Sequence, residues 1–230
     1  AIIVGAGFSG LYQLHLLRDK LNLRCLLIEA GDGVGGTWYW NRYPGARCDS
    51  PSHSYSYYFS EDLIKKWTWT ERYPGQPEIE SYLNFVADEL DLKTDICFGK
   101  TANQCKYIQD QNFWHVTTID GSEFQTKYLI AAVGCLSMSN KPVIKGIETF
   151  TGSIFHTGNW PKEDINFFGK TVAVIGTGAS AIQAIPLIAE QAEKLTVFQR
   201  TPNYSVPACN HKLSEATSQK YKKEWRSTLE

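Results

Sequence analysis

The sequence predicts an α/β fold in which one strand–helix–strand unit occurs twice, with a small antiparallel meander between the two copies. The first copy opens with "AIIVGAG" and the second with "KTVAVIGTG", so in each an apolar run passes into a glycine-rich turn. After the first turn, four leucines follow at helical spacing: Leu11, Leu14, Leu17 and Leu21. The turns begin at Gly5 and Gly176, 171 residues apart, which indicates a duplicated architecture and not a short-period repeat.

Both glycine-rich turns have the spacing of dinucleotide-binding loops. The first has G-x-G-x-x-G at Gly5, Gly7 and Gly10. The three small positions of the second are Gly176, Gly178 and Ala181, and alanine is tolerated at the third. The first glycine allows a tight turn, the second lets the backbone approach a pyrophosphate, and the third lets helix and strand pack closely. The predicted fold class is therefore α/β with two Rossmann-like dinucleotide-binding domains, each holding a pyrophosphate at a helix N terminus.

The residue at the end of the second strand differs between the two units. Glu29 lies 24 residues after Gly5, and it follows the strand "LRCLLI". Arg200 lies 24 residues after Gly176 and is followed by Thr201. A carboxylate at this offset binds ribose hydroxyls and repels a 2′-phosphate, whereas a guanidinium beside a hydroxyl suits a 2′-phosphate. The first unit thus predicts an FAD or NAD site and the second an NADP site, the alternative for Arg200 being a solvated charge at a strand end.

Three regions separate the two units. Residues 31–60 are rich in glycine, proline and aromatic residues and predict a long loop. Residues 76–92 carry apolar side chains at helical spacing and predict an amphipathic helix. Residues 95–134 predict short strands with a turn at Asp120-Gly121, which form the meander and then return to a core strand.

We expect four segments along the chain. Residues 1–140 would form the first part of an FAD-binding domain, and residues 141–161 a linker. Residues 162–208 would form the first part of an NADP-binding domain, and residues 209–230 the start of a helical subdomain. Because both ends lie inside predicted elements, we expect the chain to be a truncated piece of a longer protein.

Composition excludes several classes of function. With 23 basic and 24 acidic residues among 230, the chain has no charge excess to attract nucleic acid or an anionic membrane surface. Its longest apolar run, residues 128–136, is too short to span a bilayer. The six cysteines show neither C-x-x-C pairs nor zinc-type spacing, so we expect reduced thiols, no metal and a cytoplasmic location.

Two longer motifs carry a resemblance to a known family. The stretch "FTGSIFHTGNWP", residues 150–161, fits F-x-G-x-x-x-H-x-x-x-W-P at every fixed position. The stretch "GGTWYWNRYPGARCD", residues 35–49, fits a Gly-Gly-x-Trp, four residues, Tyr-Pro-Gly, three residues, then Asp. With "FQRTPNYSVP" at residues 198–207, these motifs resemble those of Baeyer–Villiger monooxygenases of the phenylacetone and cyclohexanone monooxygenase branch along essentially the whole chain.

The resemblance implies an FAD- and NADPH-dependent monooxygenase. NADPH would reduce FAD, O2 would form a C4a-peroxyflavin, and this would oxidise a small-molecule ketone to an ester or lactone, with no obligate protein partner. The alternatives are a flavin-containing N- or S-monooxygenase, against which the Trp160-Pro161 pair argues, and a catalytically inactive nucleotide-binding sensor. Disulfide reductases share the two-loop layout but need a redox-active cysteine pair. We expect the chain alone to bind FAD poorly and to be inactive.

The resemblance also implies roles for individual residues. Its flavin-contacting loop matches Gly36, Thr37 and Trp38. An aromatic core cluster is the alternative for Trp38 and the next two residues. Asp49 matches the aspartate beside the flavin, counted here as both catalytic and cofactor-binding, and the alternative is a turn residue before Ser50-Pro51.

His156 is a further candidate for a role in catalysis. We expect this histidine of the linker to couple motion of the NADP domain to the flavin site and not to act as a general base, because it lies among glycines between the two domains. For Arg42 and Arg47, a flavin-side cation and a surface charge remain equally open.

Overall fold

The computed structural model describes residues 1–228, which cluster into two compact units. The first contains Ala1–Trp40 and Glu80–Ile144, and the second contains Asn41–Ile79 and the chain from Lys145 onward. Both units are therefore discontinuous in sequence, whereas the predicted segments follow chain order; the predicted boundaries of the cofactor-binding domains stay a prediction. Among residues 1–228, no helix combines the length and apolar character that a bilayer crossing requires.

The helices and strands are as follows. The helices are α1 Phe8–His15, α2 Thr37–Trp40, α3 Glu61–Lys66, α4 Gln76–Glu89, α5 Ala179–Ala189 and α6 Glu215–Glu224. The strands are β1 Ile2–Val4, β2 Leu26–Ile28, β3 Ile96–Cys97, β4 Ala102–Ile108, β5 Phe113–Thr118, β6 Glu123–Thr126, β7 Leu129–Ala131, β8 Thr171–Ile175 and β9 Lys194–Phe198.

A parallel sheet forms the centre of the first unit. Its strand order is β3-β2-β1-β7, and Ile3 lies opposite Leu27 on one side and Ile130 on the other. The short strands are apolar throughout because helix and meander side chains cover the sheet, as in parallel sheets generally. The predicted strand–helix–strand unit and the predicted core return strand are thus confirmed.

Helix α1 covers this sheet with part of its leucine stripe. Leu11 and Leu14 are fully buried, whereas Leu21, which follows them at helical spacing in the sequence, is 56% exposed. The physical reason is a π-helical turn over Leu16–Lys20, closed by the hydrogen bond from Leu21 N to Leu16 O. A π turn contains more residues than an α turn, and it rotates the following side chain away from the sheet.

The predicted meander is the antiparallel sheet β4-β5-β6. Its second turn lies at Asp120 and Gly121, as expected, and Gly121 has a φ of +83° that favours glycine. Hydrogen bonds from Lys100 and Thr118 hold the pKa of the Asp120 carboxyl well below its ordinary value. Val116 of β5 packs with Ile2 and Ile28, so one face of the meander completes the core of the parallel sheet.

The second unit contains the second glycine loop. Strands β8 and β9 pair in parallel, and α5 follows β8. Phe167, Ala184 and Ile188 form its apolar cluster, against which Tyr43 and Trp160 pack. The predicted helix after residue 209 is present as α6. Residues 31–60 were expected to be loop throughout, but the structure has the short helix α2 within them.

Candidate functional site

The first glycine loop shows why two of its positions exclude a side chain. Gly5 has a φ of +103°, and a Cβ built on it would lie 2.6 Å from the carbonyl oxygen of Ala132. A Cβ on Gly10 would lie 1.7 Å from the carbonyl oxygen of Gly5. The first glycine therefore serves the strand-to-helix turn and the third serves the close packing of α1 on β1.

The second glycine of this loop lies against the predicted flavin-contacting loop. A Cβ on Gly7 would be 3.4 Å from the Cα of Gly36, and a Cβ on Gly36, whose φ is +54°, would be 2.8 Å from the Cα of Gly7. The Gly35 N–H donates to the Ala6 carbonyl at 3.0 Å. The two loops thus lie backbone against backbone, and the first unit brings together Gly7, Gly36 and the N terminus of α1.

Glu29 lies at the end of β2 with 4% of its surface exposed. Its Oε2 accepts from the Ala6 N–H at 2.6 Å, and its Oε1 accepts from the Gly31 N–H at 2.7 Å. Two charge-assisted hydrogen bonds of this kind offset the cost of burying a carboxylate. Each oxygen keeps further acceptor capacity, because an ionised carboxylate has about four acceptor positions. The carboxylate fits the ribose hydroxyls of the predicted FAD, and the N terminus of α1 beside Gly7 fits its pyrophosphate.

The ring of Tyr39 packs against the glycines that follow Glu29. A Cβ on Gly31 would lie 2.5 Å from that ring, and a Cβ on Gly33 would lie 3.1 Å from it. A Cβ on Gly35 would lie 3.0 Å from the Cβ of Tyr39. The Tyr39 hydroxyl accepts from the Asp32 N–H at 3.0 Å. Tyr39 is 7% exposed, so it packs as a core residue of the loop, while Trp40 is 40% exposed. An aromatic core position was the alternative that the sequence left open for Tyr39, but the packing of its ring on Gly31 and Gly33 was not predicted, although glycines at every second position are the signal for a face that must stay free of side chains.

The second glycine loop is more open. Gly176 has a φ of +102°, Gly178 precedes α5 in an extended conformation, and a Cβ on either would meet nothing within 4 Å. The Thr177 hydroxyl accepts from Gln199 Nε2 at 2.9 Å, and Asn203 donates to the Thr177 carbonyl at 2.9 Å. Side chains following β9 therefore hold Thr177 of this loop in place.

Arg200 and Thr201 are both exposed at the end of β9. Within the described residues, the Arg200 guanidinium makes no hydrogen bond or ion pair. It lies in the same unit as the Gly176 loop, and a free guanidinium there fits the predicted 2′-phosphate.

Arg47 and Asp49 follow the Tyr-Pro-Gly motif in the second unit. Arg47 Nη1 donates to Glu71 Oε2 at 3.0 Å and to the Tyr73 carbonyl at 2.9 Å. The hydrogen bond from Arg47 lowers the pKa of Glu71, to which Asn210 also donates at 2.7 Å. Arg47 is therefore tied to neighbouring chain segments, whereas the Asp49 carboxylate is exposed and accepts no hydrogen bond from any residue in the range 1–228.

Four of the five fixed residues of the linker motif, all but Pro161, have a described local contact in the second unit. The Phe150 ring lies over Gly152, where a Cβ would be 2.7 Å from it. The His156 Nδ1 accepts from the Gly158 N–H at 3.1 Å, which places the ring proton on Nε2 when the imidazole is neutral. The Trp160 ring packs 6.4 Å from the Phe167 ring, centroid to centroid, and so joins the apolar cluster. The histidine thus organises a turn, which fits an oriented hydrogen-bonding residue better than a proton shuttle.

Comparison with known proteins places the chain in a family. The sequence profile of the pyridine nucleotide-disulphide oxidoreductase family matches residues 2–229. An acetone monooxygenase (methyl acetate-forming) from Gordonia sp. (strain TY-5) is 48% identical over 91% of this chain and 39% of its own length. The phenazine N-monooxygenase PhzNO1 from Lysobacter antibioticus is 43% identical over 96% of this chain and 41% of its own length.

A solved structure is also similar to this chain. The cyclohexanone monooxygenase from Rhodococcus sp. Phi1, in a crystal structure bound to NADP+, superimposes with a TM-score of 0.96 at 42% identity. The match covers 99% of this chain and 43% of that one, and the chain spans about two fifths of the length of the curated relatives it matches. The predicted α/β fold and the resemblance to Baeyer–Villiger monooxygenases are confirmed, and the chain belongs to the pyridine nucleotide-disulphide oxidoreductase family.

Proposed function

We propose that the protein containing this chain is an FAD- and NADPH-dependent Baeyer–Villiger monooxygenase that uses O2 to convert a small-molecule ketone into an ester or lactone. What carries the proposal is the presence in one chain of two dinucleotide loops with opposite charges. The second strand of the first unit is followed by the buried Glu29 carboxylate, and that of the second unit by the exposed Arg200 guanidinium. The name of the Gordonia relative, which states a ketone and an ester product, supports the reaction type.

The first unit would hold FAD. The adenosine and pyrophosphate would lie on Gly5, Gly7, Gly10 and Glu29, and the isoalloxazine side would contact Gly36, Thr37 and Trp38. When bound, FAD takes a hydride from NADPH and in its reduced form activates O2. The close backbone approach of the Gly7 and Gly36 loops would then keep the pyrophosphate end and the flavin end of FAD near each other.

The second unit would hold NADP. Its pyrophosphate would lie on the loop made by Gly176, Gly178 and Ala181, at the N terminus of α5. Arg200 and Thr201 would bind the 2′-phosphate, with the guanidinium supplying the charge that distinguishes NADPH from NADH. Thr177 would stay in place through its bonds to Gln199 and Asn203.

Asp49 and His156 would act around these cofactors. The exposed Asp49 carboxylate is available to a cationic partner beside the flavin, which is the role that the resemblance implies. His156 would orient the linker through its bond from Gly158 while Trp160 anchors the linker end in the apolar cluster. In this proposal His156 acts on the coupling of the domains and does not move a proton to or from substrate.

The test is an assay of the purified protein at its full natural length. We expect flavin absorbance, NADPH oxidation that a ketone stimulates, and an ester or lactone that contains one oxygen atom from isotopically labelled O2. Flavin binding without ketone-stimulated NADPH oxidation, and without labelled ester, would refute the proposal.

A second candidate is oxygenation of nitrogen. The Lysobacter relative named as a phenazine N-monooxygenase is nearly as similar as the ketone-oxidising relative over almost the same part of the chain. The same assay with a nitrogen heteroaromatic in place of the ketone distinguishes the two, because the product is then an N-oxide. Disulfide reduction has no support, since the described cysteines are free and the sequence has no C-x-x-C pair. These free thiols also support a cytoplasmic location as part of the proposal.

A further inference from the structure

The side chain of Gln183 makes three hydrogen bonds to a segment about 140 residues earlier in the chain. Its Oε1 accepts from the Tyr43 hydroxyl at 2.9 Å and from the Arg47 N–H at 3.2 Å. Its Nε2 donates to the Arg47 carbonyl at 3.0 Å. One amide therefore satisfies both backbone groups of Arg47, a pattern that only a side chain with a donor and an acceptor can complete. We call this set of contacts the Gln183 clamp.

The segment that the clamp holds is shaped to receive α5. Gly45 has a φ of +76°, and a Cβ on it would lie 2.4 Å from the carbonyl oxygen of Gln183. The backbone of residue 45 therefore passes directly along the helix, which no other residue type would allow. The Tyr43-Pro44-Gly45 motif thus has a structural purpose: tyrosine supplies the hydroxyl for Gln183, and glycine supplies the close approach.

The held segment also carries the candidate catalytic carboxylate. Asp49 lies two residues after Arg47, and the Arg47 guanidinium is in turn fixed by Glu71. On its other side, Gln183 is part of α5, whose N terminus at Gly178 is the proposed pyrophosphate position. One side chain therefore connects the helix of the second glycine loop to the chain segment of Asp49, and all these residues belong to the second unit.

We propose that Gln183 is a positioning residue for reduction of the flavin, because it fixes the NADP-binding helix to the segment that leads to Asp49. This inference rests on the proposed function. Gln183 touches no reacting atom; it sets where the nicotinamide donor lies relative to the segment that carries Asp49. Loss of the clamp should therefore slow hydride transfer more than it weakens NADP binding, since the Gly176 loop itself stays intact.

The experiment compares three variants of the flavin-loaded protein at its full natural length. Gln183→Met has a similar volume and removes all three hydrogen bonds. Gln183→Glu keeps the shape, but it can donate to the Arg47 carbonyl only while its carboxyl group is protonated. Gln219→Met is the matched control, because Gln219 is an exposed residue of α6 outside both glycine loops. Three quantities are measured: hydrogen exchange at the Arg47 amide, the Kd of NADP+, and the rate of flavin reduction by NADPH.

For Gln183→Met we expect faster exchange at the Arg47 amide, flavin reduction slowed about tenfold, and a Kd of NADP+ within about threefold of wild type. For Gln183→Glu the reduction rate relative to wild type should fall as the pH rises from about 5.5 to about 8, because the ionised carboxylate repels the Arg47 carbonyl. A merely structural role would weaken NADP+ binding as much as it slows flavin reduction, and so would not leave the Kd near the wild-type value. The low-pH form also serves as the folded reference if Gln183→Met proves unstable.

Wild-type exchange at Arg47 and a wild-type reduction rate in Gln183→Met would overturn the inference, as would an equal loss in Gln219→Met. If NADPH fails to reduce the wild-type flavin, the proposed function itself is refuted and the positioning role of Gln183 with it. The exchange measurement keeps the two failures apart, because it reports on the clamp without any turnover.

Discussion

Replacement of Gly10 by alanine should disrupt the first glycine loop. The new methyl carbon would lie 1.7 Å from the Gly5 carbonyl oxygen, whereas Cβ atoms essentially never come closer than 3.0 Å to such a neighbour. Helix α1 and strand β1 would have to separate by about 1.3 Å, the difference between those two distances. Alanine has no side-chain rotamer that could relieve the clash, and the atom that its methyl group meets belongs to the backbone.

The expected cost follows from what this separation disturbs. Leu11 and Leu14, which belong to α1, are fully buried, and they would lose packing against the sheet. Overpacking of a well-packed core costs about 1–3 kcal/mol and occasionally more, and a clash with backbone belongs at the upper end of that range. A loss of about 3 kcal/mol corresponds to a fall in Tm of roughly 6–12 °C for a chain of this size.

The matched control is Gly178→Ala in the second loop. That position has an ordinary φ of −72°, and a Cβ there would meet nothing within 4 Å. Alanine is less favourable than glycine at a helix N-cap by several tenths of a kcal/mol, and its smaller unfolded-state entropy offsets about the same amount. Thermal unfolding and flavin content of both variants are the measurements. A Tm for Gly10→Ala within about 2 °C of wild type, or an equal fall in the control, would refute the packing argument.

The remaining predictions concern four other side chains. Tyr39→Phe should cost about 1 kcal/mol of unfolding free energy and Tyr39→Ala about 3–5, because only the second leaves a ring-sized cavity; equal costs in denaturant unfolding would contradict this. Burial lowers the pKa of His53, whose ring stacks on Tyr221 at 3.9 Å, so the unfolded chain binds a proton at a higher pH than the folded one. Stability should therefore fall as pH drops below about 6.5, and His53→Gln, followed by thermal unfolding across pH, should lose that part of the dependence. Arg200→Gln should weaken NADPH at least about tenfold and leave NADH unchanged, and equal effects on the two cofactors in steady-state kinetics would argue against a 2′-phosphate contact. His156→Ala should lower turnover without loss of bound FAD, and a structure with His156 in hydrogen-bond reach of substrate would count against its coupling role.

The extent to which the sequence predicted the site differed from residue to residue. The roles of Gly5 and Gly10 followed from spacing alone, because a strand that turns directly into a helix leaves space for no side chain at those two positions. The deviation at Leu21 had no comparable signal, since a π turn inserts an extra residue without a change in apolar spacing. Gln183 did leave a trace, as the only polar side chain apart from Ser180 in the apolar helix "ASAIQAIPLIA", but the sequence does not say which distant group it meets.

Residue types and their spacing were enough to predict the duplicated strand–helix–strand units, the glycines at their turns and the opposite charges of Glu29 and Arg200. These features depend on backbone geometry within one short segment, so residue type and spacing are sufficient to predict them. The folded chain was needed to show that Gly7 lies against Gly36 and that Gln183 holds Arg47 from 136 positions away. The physical reason is that such contacts depend on how whole elements pack, and packing is a property of shape and distance that no local pattern of residues records.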